Sequence, residues 1–433
     1  MVILIEVSPD RVRPKIGSIL GVVIAVGGVL GPVLGGILTY YATWRWVFWI
    51  NGPIGVVSMA LFYCSWPKAE FLPDLERRKW SELDYPGSVL LIAAATLVVF
   101  PFQHAGSAGN VWGKVIFLAP LLVGISCWIA LIVWTWYADR RWGDKLAAAF
   151  PMRLMRKRVF TATILHTGFV GFEFVMLVYA FPLRLQVVNG KSALLAGVML
   201  LPLLGASAVG SMAAGKLNSK KDWICETLVF AGSLMVLGCG LLSTQSATAD
   251  VEAKALGLLV FVGLGFGMSA ASATTLANIH TAVQDEGMWN LLKHVVRFAH
   301  FGTLADMFLF SAPAQGILSQ VRVLGGSLGI AASSAILGRY LVDIANPGQL
   351  TAIAHNPEDF TLEQLQALRE AFSEAFNMDM RICAIVGVFG VFFACAGWTR
   401  SRQTLETLRK NSLVEDAQMR RARHQVGEYR EPL

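Results

Sequence analysis

Long apolar runs alternate with short polar gaps along most of this chain. A helix needs roughly 20 mostly apolar residues to cross a bilayer. On that measure the sequence predicts spanning helices over 17–40, 45–66, 86–104, 115–137, 160–183, 193–215, 224–244, 255–278, 317–341 and 381–399. The gaps carry turn and charge signals, among them PKAEFLPDLERRKWSELD, ADRRWGDK, RLMRKR, NSKKD and TQSATADVEAK. The pattern predicts an all-α polytopic membrane protein with about ten transmembrane helices.

The distribution of cations supports the list. With the N-terminus inside, the inside gaps hold Arg11, Arg13 and Lys15; Lys68, Arg77, Arg78 and Lys79; Arg140, Arg141, Lys145, Arg153, Arg156, Lys157 and Arg158. Further along they hold Lys216, Lys220 and Lys221; Lys293 and Arg297; and Arg400, Arg402, Arg409 and Lys410. The outside gaps hold single charges such as Arg45, Lys114 and Lys191. Alternation of this kind follows the positive-inside rule and places both termini on the cytoplasmic side.

Two apolar or amphipathic patches do not fit as spans. In 291–312, Lys293, Arg297 and His300 recur at helical spacing, which suits an interfacial helix. An eleventh crossing there would put the basic tail outside. In the outside gap 342–380, Thr361 and Gln364 after Pro357 form a capping-box pattern that opens an amphipathic helix. The tail 412–433 is polar and mixed in charge, a composition of disordered segments.

Composition agrees with the pattern. Of 433 residues, 55% are hydrophobic and 15% charged, against about 25% charged in soluble domains. Mean hydropathy is +0.56. The formal net charge is +7, but the cations sit in the gaps, so topology accounts for them and nucleic acid is not an expected partner. Cys64, Cys127, Cys225, Cys239, Cys383 and Cys395 all fall in or beside apolar runs without a C-x-x-C pair. They are expected to be free packing residues. Residues 1–16 lack the apolar core of a cleavable signal peptide. The sequence shows no P-loop and no His/Cys/Asp cluster for metal binding or nucleophilic catalysis, so neither an enzyme, a cofactor nor ATP drive is expected.

The stretch GGVLGPVLGGILTYYATWRWVFWINGPIG combines an apolar run with helix breakers. In lipid, helices associate through close packing of small residues. Gly27, Gly31 and Gly35 repeat every four residues, and Gly28, Pro32 and Gly36 repeat beside them. The first row gives a face of bare backbone and the second repeats its spacing, so the two together predict a surface on which a partner helix packs closely, with a bend at Pro32. Trp44, Trp46 and Trp49 around Arg45 suit the aromatic belt at a membrane interface.

GGVLGPVLGG resembles the antiporter motif of proton-driven exporters in the major facilitator superfamily, and WRWVFWINGPIG follows it as in the 14-span drug:proton antiporter branch, especially its fungal members. LDYPG (Leu83–Gly87), PMRLMRKRVF (Pro151–Phe160), FPLRLQVVNGKSALLAGVMLLPL (Phe181–Leu203), GLGFGMS (Gly263–Ser269) and QVRVLGGSLGIA (Gln320–Ala331) are similar to later motifs in the expected order. The resemblance covers most of residues 8–411 and does not specify a substrate. It implies a partial major facilitator fold: 1–66 as the last two spans of a first helical half, 67–158 as two central spans with a basic loop, 159–411 as a second six-helix half, and 412–433 as a tail. It also implies that the chain begins at the loop before the family's fifth helix, an N-terminal truncation. Residues 287–313 interrupt the family spacing; a retained intron and a true insertion are the two readings.

The resemblance implies proton-coupled efflux of a small amphipathic compound such as a drug, toxin or fungal secondary metabolite. The alternative is a non-transporting remnant or misannotated fragment. The expected partners are the lipid bilayer and a small-molecule substrate, the chain being a monomer in the plasma or vacuolar membrane, driven by a proton gradient with no cofactor.

Several polar residues within the spans are candidates for chemistry. Glu173 lies mid-span, where acids are costly and face a cavity or partner. It is either a proton carrier or a structural group bonded to a neighbouring helix. His166, seven residues earlier on the same face, is a second proton-coupling candidate or a hydrogen-bonded core residue. Arg322, with Gly325 and Gly326 in the R-V-L-G-G helix, is expected to act as a gate or anchor, as is Arg45 in its short turn. Gln186 and Asn278 are possible substrate contacts or helix-packing groups.

Overall fold

Apolar stretches of bilayer length can satisfy their backbone only as helices, and the named elements are all α-helices. The computed structural model describes residues 27, 30, 31, 33–65, 83–108, 113–142, 155, 158–220, 223–248, 250–282, 302–341 and 362–398, with side chains at 106–108, 219–220, 277–282, 302–313 and 362 outside that description. Residues 33–41 are helical. The elements that follow are α1 (Arg45–Trp49), α2 (Asn51–Ser65), α3 (Tyr85–Ala108), α4 (Val115–Arg141), α5 (Arg158–Val187) and α6 (Ala193–Val198). After them come α7 (Leu201–Lys220), α8 (Ile224–Leu242), α9 (Ala253–Ala282), α10 (Gly302–Leu341) and α11 (Leu362–Ala396).

Among the described residues, nine helical segments are long and apolar enough to cross a membrane. They correspond to the last nine of the ten expected spans. The expected span 17–40 falls largely outside the described residues, as do 66–82, 287–301, Thr361 and the tail 412–433.

Three boundaries differ from the expectation, each for a physical reason. The span expected over 193–215 is broken into α6 and α7, with the step at Met199–Leu200. Pro202 has no N–H to give an unbroken helix and sits instead in the first turn of α7. Residues 302–313, expected to be interfacial or irregular, run unbroken into the span 314–341 as one 40-residue helix. The amphipathic helix and the span expected at 381–399 are likewise one helix of 35 residues. At 1.5 Å per residue α11 is about 52 Å long, far beyond a hydrocarbon core of about 30 Å. Its leading turns are held by a separate apolar cluster of Leu341, Leu368 and Ala371 with Val187, Leu337, Tyr340 and Phe372.

Helices α5 to α11 form the principal bundle. α5 packs on α10 and α11, α8 on α9 and α11, and α7 on α9. Its main apolar core joins Met176, Leu177, Phe181 and Leu185 of α5 to Leu203 of α7, Met235 of α8, Leu259 of α9 and Phe376 and Met380 of α11. The helix pairs approach through glycine. A β-carbon on Gly263 or Gly267 of α9 would strike the backbone of Leu203 or Ser207 on α7. Close backbone approach of this kind supplies the van der Waals contact that lipid-embedded helices depend on.

α3 and α4 form a hairpin that leans on the bundle through α3 and α10. The LDYPG motif builds its entry. Asp84 Oδ1 accepts hydrogen bonds from the Gly87 N–H and from Trp134 Nε1 of α4, each at 2.8 Å. The same carboxylate therefore caps α3 and ties it to its partner. α1 and α2 follow each other end to end through Ile50 as one membrane-length segment, and every residue of α2 is exposed.

Candidate functional site

The turn after α5 shows how local sequence sets up a contact between the two parts of the chain. Gly190 has φ of +61°, a left-handed conformation that suits glycine. The Lys191 N–H returns to the Leu185 carbonyl at 3.0 Å, and Ser192 Oγ caps α6 by accepting from the Leu195 N–H. The start of α6 thereby meets Gly36. A β-carbon on Gly36 would lie 2.8 Å from Leu194 Cα and 3.2 Å from the Ala193 carbonyl oxygen. Gly27, Gly31 and Gly35 of the same motif have nothing within 4 Å of a built β-carbon among the described residues. Gly28 and Pro32 lie outside the described residues. The contact is made by the neighbouring stripe.

Glu173 is 1% exposed on α5. Its pocket is made by α11, where a β-carbon on Gly387 would lie 2.8 Å from Glu173 Oε1 and 2.6 Å from Val236 of α8. Among the described residues Glu173 Oε2 has no hydrogen-bond partner. Cys383, one turn before Gly387, lies 3.5 Å from Met176 Sδ and 3.9 Å from the Glu173 backbone carbonyl.

His166 is fully buried two turns along the same face of α5. Its Nδ1 is 2.9 Å from the Gly390 carbonyl and its Nε2 2.7 Å from Ser269 Oγ of α9. A carbonyl can only accept, so Nδ1 carries the proton and the Ser269 hydroxyl donates to Nε2 in the neutral ring. A β-carbon on Gly390 would come within 4.0 Å of both His166 Nδ1 and Glu173 Oε1. The structure thus brings these two candidates to one site between α5 and α11, with α8 and α9 closing it.

Arg322 stands on the opposite side of α5. The R-V-L-G-G stretch presses its backbone on that helix. A β-carbon on Gly171 would strike the Arg322 carbonyl, one on Gly325 the Gly168 carbonyl, and one on Gly326 would lie 2.7 Å from Val175. Arg322 Nε is buried and has no hydrogen-bond partner. Arg45 is exposed, its guanidinium 4.8 Å from the Trp44 ring centroid. Gln186 is exposed and bonds to the Pro182 carbonyl of its own helix at 3.3 Å. Asn278 lies on α9 where side chains are outside the described residues.

A second buried carboxyl was not among the candidates. Asp379 is 3% exposed, and its Oδ2 accepts from Ser333 Oγ of α10 at 2.5 Å, while Oδ1 has no partner. It falls two residues before the span expected at 381–399, where an acid draws no notice. A set of polar ties lies near it at the Gly190 end of the bundle. Arg184 donates to the Ser246 carbonyl at 2.6 Å and stacks 5.0 Å from the Phe376 ring, Asn189 donates to Thr248, and Asn377 donates to the Gln245 carbonyl. Together they hold the α8–α9 loop over α5 and α11. In that loop, hydrogen bonds from Lys254 and Ser246 hold the Glu252 carboxyl at about 2, below its usual range. Among the described residues no group of His, Cys, Asp and Glu is arranged to hold a metal ion.

The sequence is similar to known proteins. A profile for the Major Facilitator Superfamily matches residues 1–288. MFS-type transporter FPY5 of Fusarium mangiferae is 29% identical over 392 residues, covering 87% of this chain and 61% of that protein. An MFS-type transporter of Claviceps purpurea is 28% identical over 402 residues, covering 92% of this chain and 66% of its own length. MFS-type transporter ptmT of Penicillium ochrochloron is 28% identical over 401 residues, covering 90% and 65% respectively. The chain therefore spans less than two thirds of the length of these relatives.

Proposed function

The chain belongs to the major facilitator superfamily, and from that premise we propose that it works as a secondary active transporter coupling proton entry to efflux of a small amphipathic compound. The observation that carries the proton-coupled reading is Glu173. An acid at bilayer depth is expensive and marks an ion or proton pathway by default. Here it is enclosed in a pocket that Gly387 opens for it, with one carboxyl oxygen unpartnered. A carboxyl so placed can take up and release a proton without competing with an ion pair. The close approach of Gly36 to Leu194 supports a hinge between the first helices and the second half. Glycine faces permit such contacts to open and close with little side-chain rearrangement.

The substrate class, the proton gradient as driving force, a monomeric state and residence in the plasma membrane with both termini cytoplasmic belong to the same reading. Arg45, in its stack on Trp44, serves as an interfacial anchor, and Arg322 as a gate beside the α5–α10 contact. The test is transport by the purified full chain in liposomes, with ethidium as the probe. Accumulation that follows an imposed pH gradient and collapses with a protonophore supports the reading. Accumulation indifferent to the gradient contradicts it.

One observation favours a second reading, a non-transporting remnant. Among the described residues none of α1 or α2 is buried, so this span lacks the packed surroundings of a working half. The same liposomes decide, because this reading predicts no probe movement under any gradient.

A further inference from the structure

Helices α5 and α11 run antiparallel, with Phe181 against Phe376, Met176 against Cys383, Glu173 against Gly387 and Ala162 against Gly397. Along α11, Asp379, Cys383, Gly387 and Gly390 are spaced by four, four and three residues, so all lie on the face turned to α5. The polar groups of the interface follow this file. Asp379 stands at its Gly190 end; the Glu173 carboxyl fills the space at Gly387; His166 takes the Gly390 carbonyl. From Asp379 to Gly387 the rise is about 12 Å.

Both carboxyls have the same incomplete bonding. Asp379 Oδ1 and Glu173 Oε2 are each buried without a hydrogen-bond partner, and neither carboxyl makes an ion pair among the described residues. A buried polar oxygen left bare loses its hydration uncompensated, and a bridging water satisfies it at small entropic cost. The charged and titratable groups turned inward on the helices packed around Asp379 are Glu173, His166 and Arg184 of α5, Cys239 of α8 and Arg322 of α10, with Cys383 on α11 itself; Tyr179 of α5, Arg339 of α10 and Glu374 and Arg381 of α11 are exposed, and Tyr340 of α10 packs in the cluster at the start of α11. Arg184 is engaged by Ser246 and Phe376, Arg322 lies toward the far end, and the thiols are buried. Glu173 is therefore the acceptor that the file offers to Asp379.

We propose that Asp379 is the carboxyl through which protons reach Glu173. A proton from water at the Gly190 end adds to the Asp379 carboxylate at Oδ1. The acid form then gives up that proton through bridging water to Glu173 Oε2, and Asp379 returns to the carboxylate. One proton enters and one is delivered; no other bond changes. Ser333 positions Asp379 by donating to Oδ2, which keeps Oδ1 free for exchange. This role rests on the proposed proton carriage by Glu173 and places the entry route inside the second half, between α5 and α11.

Infrared difference spectroscopy of the full chain in liposomes tests this through a pH step at the Gly190 side. The carboxyl band lost in Glu173→Gln identifies that residue. The relay predicts that Asp379→Asn slows the Glu173 response at least about a hundredfold, the low end of what a positioned proton-transfer group contributes, and that Asp379→Glu restores it. An unchanged Glu173 response in Asp379→Asn overturns the relay and leaves Glu173 as a carrier loaded by another route. A Glu173 band that never responds in the unmodified chain overturns both readings. If Asp379→Asn does not insert, Ser333→Ala keeps the carboxyl and removes its hydroxyl partner. The relay then requires an altered pH profile of the Glu173 response, and an unaltered profile overturns it.

Discussion

Glu173 on α5 and Gly387 on α11 share one space: the carboxyl Oε1 sits 2.8 Å from where a β-carbon on Gly387 would be. The pocket for a mid-membrane acid is thus made by a missing side chain on another helix, more than 200 positions away in the chain. Gly387→Ala must push the carboxyl or the helix aside. Overpacking of this kind costs about 1–3 kcal/mol. Thermal unfolding of the detergent-solubilised chain is expected to move down by that amount. Gly257→Ala, on α9 with nothing within 4 Å, is the control and is expected to leave the midpoint unchanged or raise it.

His166 joins three helices through two ring nitrogens. His166→Ala leaves the Gly390 carbonyl and the Ser269 hydroxyl buried and bare. Each such group costs about 1–3 kcal/mol, so the variant is expected to unfold at clearly lower denaturant. Ser269→Ala removes one bond and is expected to cost less than half as much.

Asp84 is a cap and a tie at once. Asp84→Ala removes the N-cap of α3, a loss of about 1 kcal/mol, and strips Trp134 Nε1 of its acceptor. The expected result is earlier proteolytic cleavage within 85–108 with the second-half helices still protected. Equal protection of α3 in both proteins contradicts the assignment.

The Gly36 contact is testable by crosslinking. On a background lacking the six native cysteines, a Gly36→Cys, Leu194→Cys pair is expected to form a disulfide under mild oxidation. A Gly27→Cys, Leu194→Cys pair is expected not to, because Leu194 lies against Gly36 and is not within 4 Å of a β-carbon built on Gly27.

The α8–α9 loop has an acid-sensitive tie. The folded Glu252 value of about 2 lies below its ordinary 4.5, with the Lys254 hydrogen bond as the larger cause. A lowered carboxylate value means that the tie is present in full above pH 4.5 and is lost as pH falls toward 2. Loop mobility measured by a spin label at Thr248 is expected to rise across that window in the unmodified chain and to stay level in Glu252→Gln.

Much of the helix plan was legible because bilayer length and cation placement are local properties. The last nine spans could be marked from windows of about 20 residues, and Glu173 stood out as an acid inside one of them. Legibility stopped where the third dimension decides. Gly387 and Gly390 look like ordinary apolar-span glycines until α5 lies across them. Asp379 was hidden because α11 continues past the bilayer, so a residue inside the bundle appears in sequence as part of a polar gap. The four-residue glycine row was visible, yet its geometry could not say whether Gly35 or Gly36 meets a partner. A single residue, about 100° around the helix, separates the stripe that meets a partner from its neighbour.

The most direct measurement of the central claim is pH-gradient-driven ethidium accumulation by liposomes holding the full chain or its Glu173→Gln variant at equal protein content. Proton carriage by Glu173 predicts accumulation in the first and a loss of at least about a hundredfold in the second, the scale of a positioned proton-transfer group, with both proteins unfolding at similar temperature. Equal accumulation by the two proteins would contradict the claim.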